Sequence, residues 1–200
     1  MVQKKGNYCS ICLPIANKRT RVKEARVVAY LNEWADAGIV PPYTTWNKAN
    51  PVSDKDVCGK PKPDILYDLG THIVIVEVDE FQHKYSSYTP RCEVMRIVRI
   101  VDGYRTEPGV MIPVHVIRFN PDAQKVNQIT TTTMTPWRMV ELKKLLVAAI
   151  ASPDYDRRVT ISKLFYDIDG ADAKAKDVQM TAYETLEEFE DYVEEHFPFE

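Results

Sequence analysis

The sequence predicts an α/β (α+β) protein with a central mixed β-sheet flanked by helices, and three observations carry that expectation. Apolar residues recur with helical spacing in the stretches that begin near Thr20, Arg91 and Thr135, and runs rich in β-branched residues lie between them. A pair of strands joined by a short turn, Pro63 to His83 (PDILYDLGTHIVIVEVDEFQH), is the best-defined stretch in the chain. With 200 residues, 44% apolar and 28% charged, the chain has the length and composition of one soluble domain with a respectable core.

In chain order, Met1 to Thr20 is a basic segment with a Cys9-x-x-Cys12 pair. A helix then runs from Thr20, a candidate N-cap, to Gly38, with Val27, Val28, Leu31 and Trp34 on one face. The prolines between Pro41 and Pro63 predict extended loop, with one strand near Tyr43 to Trp46. Asp64 to Leu69 and His72 to Asp79 form the hairpin around Gly70-Thr71. A helix follows from about Arg91 to Gly103, its buried face marked by Val94, Ile97, Val98 and Val101.

Val110 to Asn120 reads as one strand with Pro113 at a bulge or edge, Val114, Val116, Arg118 and Asn120 sharing a face. A flexible loop at Thr130 to Thr133 precedes a helix from Thr135-Pro136 to Ala149, packed through Trp137, Val140, Leu145 and Val147. Arg157 to Tyr166 is the last strand expected, Asp167 to Lys176 a polar linker, and Tyr183 to His196 an acidic terminal helix. Residues 21–167 thus form the main domain and 168–200 a linker and tail.

Charge is divided unevenly. Eight acids and no Lys or Arg lie between Thr181 and Glu200, so the net charge of −3 becomes +5 over the first 180 residues. Between Lys4 and Arg26 seven basic residues face one acid, a stripe suited either to phosphates or to plain solvation. The longest apolar run, Leu145 to Ala151, is far short of the about 20 residues a membrane helix needs. The N-terminus lacks a signal-peptide core, so an intracellular protein is expected. In a reducing compartment, Cys9, Cys12, Cys58 and Cys92 are either buried thiols or a structural Zn²⁺ site.

If Gly70 and Thr71 are the central turn residues, Leu69 faces His72 and Asp64 faces Glu77, with Asp79 on the same side of the pleat. Opposed Cβ atoms in such a pair lie about 5 Å apart, so the acids repel unless something neutralises them. Mg²⁺ or Mn²⁺, which take carboxylate oxygens, would do so. A slip of one residue would instead turn Asp64 to the other face and leave an ordinary charged edge.

Pro63-Asp64 followed by Glu77-Val78-Asp79 resembles the PD-(D/E)XK nuclease superfamily, with its restriction-endonuclease-like core ordered αβββαβ. The longer string EVDEFQH, with Cys92-Glu93 and Arg96 beyond it, is similar to endonuclease-like proteins of large DNA viruses and to the short-patch-repair type of nuclease domain. The resemblance covers roughly Val22 to Asp122 and implies a metal-dependent DNA endonuclease, in a host cell or a virion, with Asp64, Glu77 and Asp79 as ligands of Mg²⁺ or Mn²⁺. It departs at one position, where the family's lysine is Asp79.

His83, with an ordinary pKa near about 6.5, suits the missing general base, and Gln82 would hold the water or a phosphate oxygen. Glu24 occupies the place of a helix acid that the superfamily brings to the metal, or else is a surface partner of Arg21, Lys23 or Arg26. Lys60 and Lys62, flanking the site, Lys84 in the loop to Pro90, Arg96 and Arg118 are the candidate substrate contacts. DNA is the expected partner, with pairing of two copies open. The other reading is a nuclease-fold protein without catalysis, serving as a DNA-binding or structural module.

Overall fold

Gly70 is the residue on which the hairpin turns. Its φ of +75° is the left-handed conformation that a two-residue turn of the II′ kind asks of its first central position, and glycine adopts it without a Cβ penalty. Asp68 Oδ1 accepts the Gly70 N–H at 3.0 Å and the Leu69 N–H donates to the His72 carbonyl at 3.1 Å, closing the turn as predicted. The computed structural model describes residues 21–47, 62–80, 97, 100, 105–107, 110–130, 136–152, 158–167, 178–184, 188, 191 and 195.

The protein is α+β, with a mixed six-stranded sheet. Helix α1 is Arg21–Asp36 and helix α2 is Pro136–Ala151. The sheet strands are β1 (Thr45–Trp46), β2 (Ile65–Asp68), β3 (Ile73–Val78), β6 (Val114–Phe119), β9 (Val159–Leu164) and β10 (Val178–Tyr183), adjacent in that order. Between them lie two small antiparallel ladders, β4 (Arg105–Glu107) with β5 (Val110–Met111), and β7 (Lys125–Val126) with β8 (Ile129–Thr130). The pairs β1–β2, β2–β3 and β9–β10 are antiparallel, whereas β3–β6 and β6–β9 are parallel.

Parallel neighbours need a crossover, and the two crossovers leave the sheet on opposite faces. Ile97 and Ile100, both helical and buried in the connection from β3 to β6, pack with Leu66, Ile73, Ile75, Val114 and Val116. Helix α2, between β6 and β9, packs with α1 on the other face, against Ile65, Tyr67, Val74, Val76, Ile117 and Phe119. The sheet is therefore buried on both sides, which explains why β3 is an unbroken apolar run up to Glu77.

Several expectations need correction. Pro113 ends one strand and starts another, because it has no N–H to continue a ladder, so Val110 to Asn120 is β5 and β6 rather than a single bulged strand. Helix α2 buries Arg138, Met139, Leu142, Leu146 and Ala149, while Trp137 and Val140 stay exposed; its core stripe is rotated from the one read in the sequence. β10 lies within the stretch assigned to linker and tail, and it extends the sheet past β9. Helical residues do occur further on, at Glu188, Asp191 and Glu195, all exposed. The β7–β8 hairpin turns on Asn127 and Gln128, both at positive φ, a conformation Asn tolerates. No helix among the described residues is long and apolar enough to cross a membrane.

Tyr67 stands fully buried on β2, and among the described residues its hydroxyl has no hydrogen-bond partner. Burial, with Tyr43 nearby, pushes its phenol well above the ordinary range. An unsatisfied buried hydroxyl costs about 1 to 3 kcal/mol, so Tyr67→Phe is expected to leave the fold intact and to raise stability by roughly 1 kcal/mol in chemical denaturation. A loss of stability in that variant would show that the hydroxyl has a partner.

Candidate functional site

Three parallel strands change character at the same level on the same face. In β3, Ile73 and Ile75 give way to Glu77; in β6, Val114 and Val116 give way to Arg118; in β9, Val159 and Ile161 give way to Lys163. Register lines them up, since Glu77 is the partner of Arg118 and Arg118 the partner of Lys163. Asp79, one residue past the end of β3, continues the row toward the carboxyl ends of the strands. That end of an open parallel sheet is where crossover connections leave a crevice for ligands.

Asp64 joins the group as the hairpin register predicts. Ile65 pairs with Val76, so Asp64 comes abreast of Glu77, and its Oδ2 accepts the Val78 N–H at 2.8 Å. The carboxylate thus substitutes for the backbone carbonyl that the ladder would present one step further. Glu77 is 3% exposed and Asp79 1%, depths at which a carboxylate is rare unless its charge is answered.

For Asp79 the answer is on the protein. Arg118 Nε donates to Asp79 Oδ2 at 2.6 Å, and the Tyr166 hydroxyl donates to the same oxygen. Burial works against the Arg118 charge, yet Asp79, Tyr166 and Glu77 together hold the guanidinium more firmly protonated than usual. Burial, reinforced by Asp79, pushes the Tyr166 phenol far above its ordinary range. Arg118 also lies 5.8 Å from the centre of the Tyr166 ring.

Arg118, expected as a substrate contact, is buried and bound to Asp79. Asp79, expected as a metal ligand, is the partner of that arginine. Among the described residues no group of three or more His, Cys, Asp or Glu side chains is arranged to hold a metal ion. Mg²⁺ commonly binds one or two carboxylates while keeping several waters, so Asp64 and Glu77, abreast across the hairpin, are residues that could hold one.

Glu24 is buried, not a surface ion-pair partner; Lys23 pairs instead with Asp122. Glu24 Oε1 accepts the Trp46 indole N–H at 2.6 Å and the Asn47 amide, which ties the first turn of α1 to edge strand β1. Helix α1 packs through Val27, Val28, Leu31 and Trp34 on the sheet face opposite the row of Glu77, Arg118 and Lys163, and Asn47, which Glu24 holds, donates its backbone N–H to the Asp64 carbonyl at 2.9 Å. Glu80 lies close to the same first turn, and burial, with Asp122 nearby and Lys23 opposing, raises the pKa of its carboxyl.

Lys62 is exposed near the hairpin entrance. Gln82, His83, Lys84, Lys60 and Arg96, and the cysteines Cys9, Cys12, Cys58 and Cys92, lie outside the described residues.

Lys163 and Tyr166 were not among the expected site residues. The local signal was present, a strand with apolar residues at Val159 and Ile161 that turns basic at Lys163, but only the β6–β9 register brings it beside Arg118. No family model, curated protein or solved structure matches this chain.

Two outcomes are expected. Asp79→Asn leaves the Arg118 charge buried without its counterion and should cost about 3 to 5 kcal/mol in urea unfolding, whereas Asp79→Leu with Arg118→Met should recover most of that loss. Tyr166 has a folded pKa above its unfolded value near about 10, so its contribution to stability is complete below that pH and declines as pH climbs toward the folded pKa. A near-ultraviolet titration should then show Tyr166 ionising only with alkaline unfolding, and Tyr166→Phe should remove that late component.

Proposed function

We propose that the protein is a metal-dependent endonuclease that hydrolyses DNA phosphodiester bonds. The observation that carries this reading is the pair formed by Asp64 and Glu77, brought abreast at the open end of the β2–β3 hairpin with the Asp64 carboxylate fixed on the Val78 N–H at 2.8 Å. The run of elements supports it too. A helix, three antiparallel strands β1–β2–β3, helical residues Ile97 and Ile100, the small β4–β5 ladder and the parallel strand β6 follow one another, a run compatible with the core that the superfamily resemblance implies.

Hydrolysis of a phosphodiester needs an activated water and stabilisation of the charge that develops on phosphorus. Asp64 and Glu77 would hold the divalent ion, which when bound acidifies water and offsets that charge. Asp64 is kept in place by Val78, and Glu77 is kept from solvent by its position in the central strand. Asp79 and Arg118, joined, form a neutral support against which Glu77 stands, with Tyr166 fixing the orientation of the Asp79 carboxylate. His83 and Gln82 are proposed for proton transfer and for holding the water, on the strength of the motif.

One observation favours a second reading, a nuclease-fold module that binds DNA without cutting it: where the superfamily has a lysine, this chain has an acid bonded to Arg118. The two readings part in one assay. A Mg²⁺- or Mn²⁺-stimulated nicking of plasmid DNA that falls about 100-fold or more in Asp64→Ala and in Glu77→Ala, with both variants folded by circular dichroism, is the result expected of an enzyme. Binding that weakens with salt but never leads to cleavage, whichever metal is added, leaves the binding module.

A further inference from the structure

On the row that crosses the three parallel strands, the two basic groups are placed differently. Arg118 is bonded to Asp79 and buried. Lys163, next to it across the β6–β9 pairing, is exposed, and among the described residues its ammonium has no carboxylate within ion-pair distance; its recorded contact is with the Tyr166 ring, 5.9 Å from Nζ to the ring centre. Adjacent strands lie about 4.8 Å apart, so Lys163 stands two strands from Glu77, about 10 Å along the sheet, on the same face and at the same level.

In the complex envisaged, the reacting phosphate of a nucleic-acid strand meets the acids while a phosphate beside it meets the lysine. The Tyr166 ring is shared by Arg118 and Lys163, whose charged groups lie 5.8 and 5.9 Å from its centre.

Resting on the nuclease reading, we infer that Lys163 is a substrate-binding residue that holds a backbone phosphate of the nucleic acid next to the carboxylates. Its electrostatic setting agrees. Although the residue as a whole is exposed, its ammonium is partly desolvated beside the sheet, and this and the nearby Arg118 charge disfavour it, with Asp79 acting the other way, so its pKa is lowered. The attraction of an arriving phosphate oxygen opposes both effects. Arg118 next door cannot serve in its place without abandoning Asp79.

The test measures the affinity of a short fluorescein-labelled DNA duplex, and of its single strand, over a range of salt concentrations in EDTA, and Mn²⁺-stimulated cleavage in parallel. Lys163→Ala is expected to lower the slope of log affinity against log salt by about 1, equally for different base sequences, and Lys163→Arg to restore it. Lys144→Ala, on the exposed face of α2 and paired with Glu141, serves as the control and should change neither readout. Cleavage by Lys163→Ala should fall at least tenfold. A slope equal to that of the wild type overturns the inference even where the wild type cleaves DNA. If the wild type binds in a salt-dependent way but does not cleave, the slope still decides Lys163 while the nuclease reading falls. A wild type that does not bind DNA at all removes both.

Discussion

Register between β3 and its two neighbours is the constraint on which the rest of the site depends. A β-strand alternates faces with a period of two, so one residue of slippage against β2 or β6 would carry Glu77 and Asp79 to the face packed by α1 and α2. Two local devices prevent that. Gly70 at positive φ sets the turn between β2 and β3, and Pro113, with no N–H of its own but with its carbonyl accepting the Ile73 N–H at 2.9 Å, marks where β6 begins beside β3. From those two points the pairings follow residue by residue, up to Asp64 against Glu77 and Glu77 against Arg118.

Polar groups cost least where they answer one another, and this sheet concentrates them at one end. Glu77, Asp79, Arg118 and Lys163 carry two negative and two positive charges on neighbouring strands, with the Tyr166 hydroxyl bonded to Asp79. A buried pair such as Arg118 and Asp79 is weak grounds for stability by itself, because desolvation offsets its attraction. Its consequence is geometric. It fixes the Asp79 carboxylate on Arg118 and Tyr166, while Glu77 and Asp64 stand abreast at the hairpin end.

A second set of polar contacts ties the helices to that end of the sheet. Arg138 of α2 is buried against the Phe165 ring at 4.7 Å and donates to the carbonyl of Asp122, and Asn120 donates to the Phe165 carbonyl at 2.7 Å. Asp122 then pairs with Lys23 in the first turn of α1, close to which Glu80 also lies. The segment that follows β6 is thus held from both helices. These contacts bridge elements distant in the chain, which is why helical spacing alone misplaced the core stripe of α2: a buried arginine at 138 does not register as a core residue when apolar residues are counted.

The sequence by itself determined what depends on short separations. The glycine turn, the alternation that sets Asp64, Glu77 and Asp79 on one side, and the apolar stripe of α1 were all readable, because each follows from residues within a few positions of one another. Tertiary structure decided which charges meet. That Asp79 belongs to Arg118 and Tyr166, that Glu24 belongs to Trp46 and Asn47, and that Lys163 stands beside Arg118 all depend on pairings between strands and helices far apart in the chain. Parallel pairing leaves no local signature of register, since the crossover that joins two such strands is long and does not fix their offset. β10 was missed for a related reason: its partner β9 is separated from it by a polar stretch that reads as a linker, and the strand becomes evident once that partner is in place.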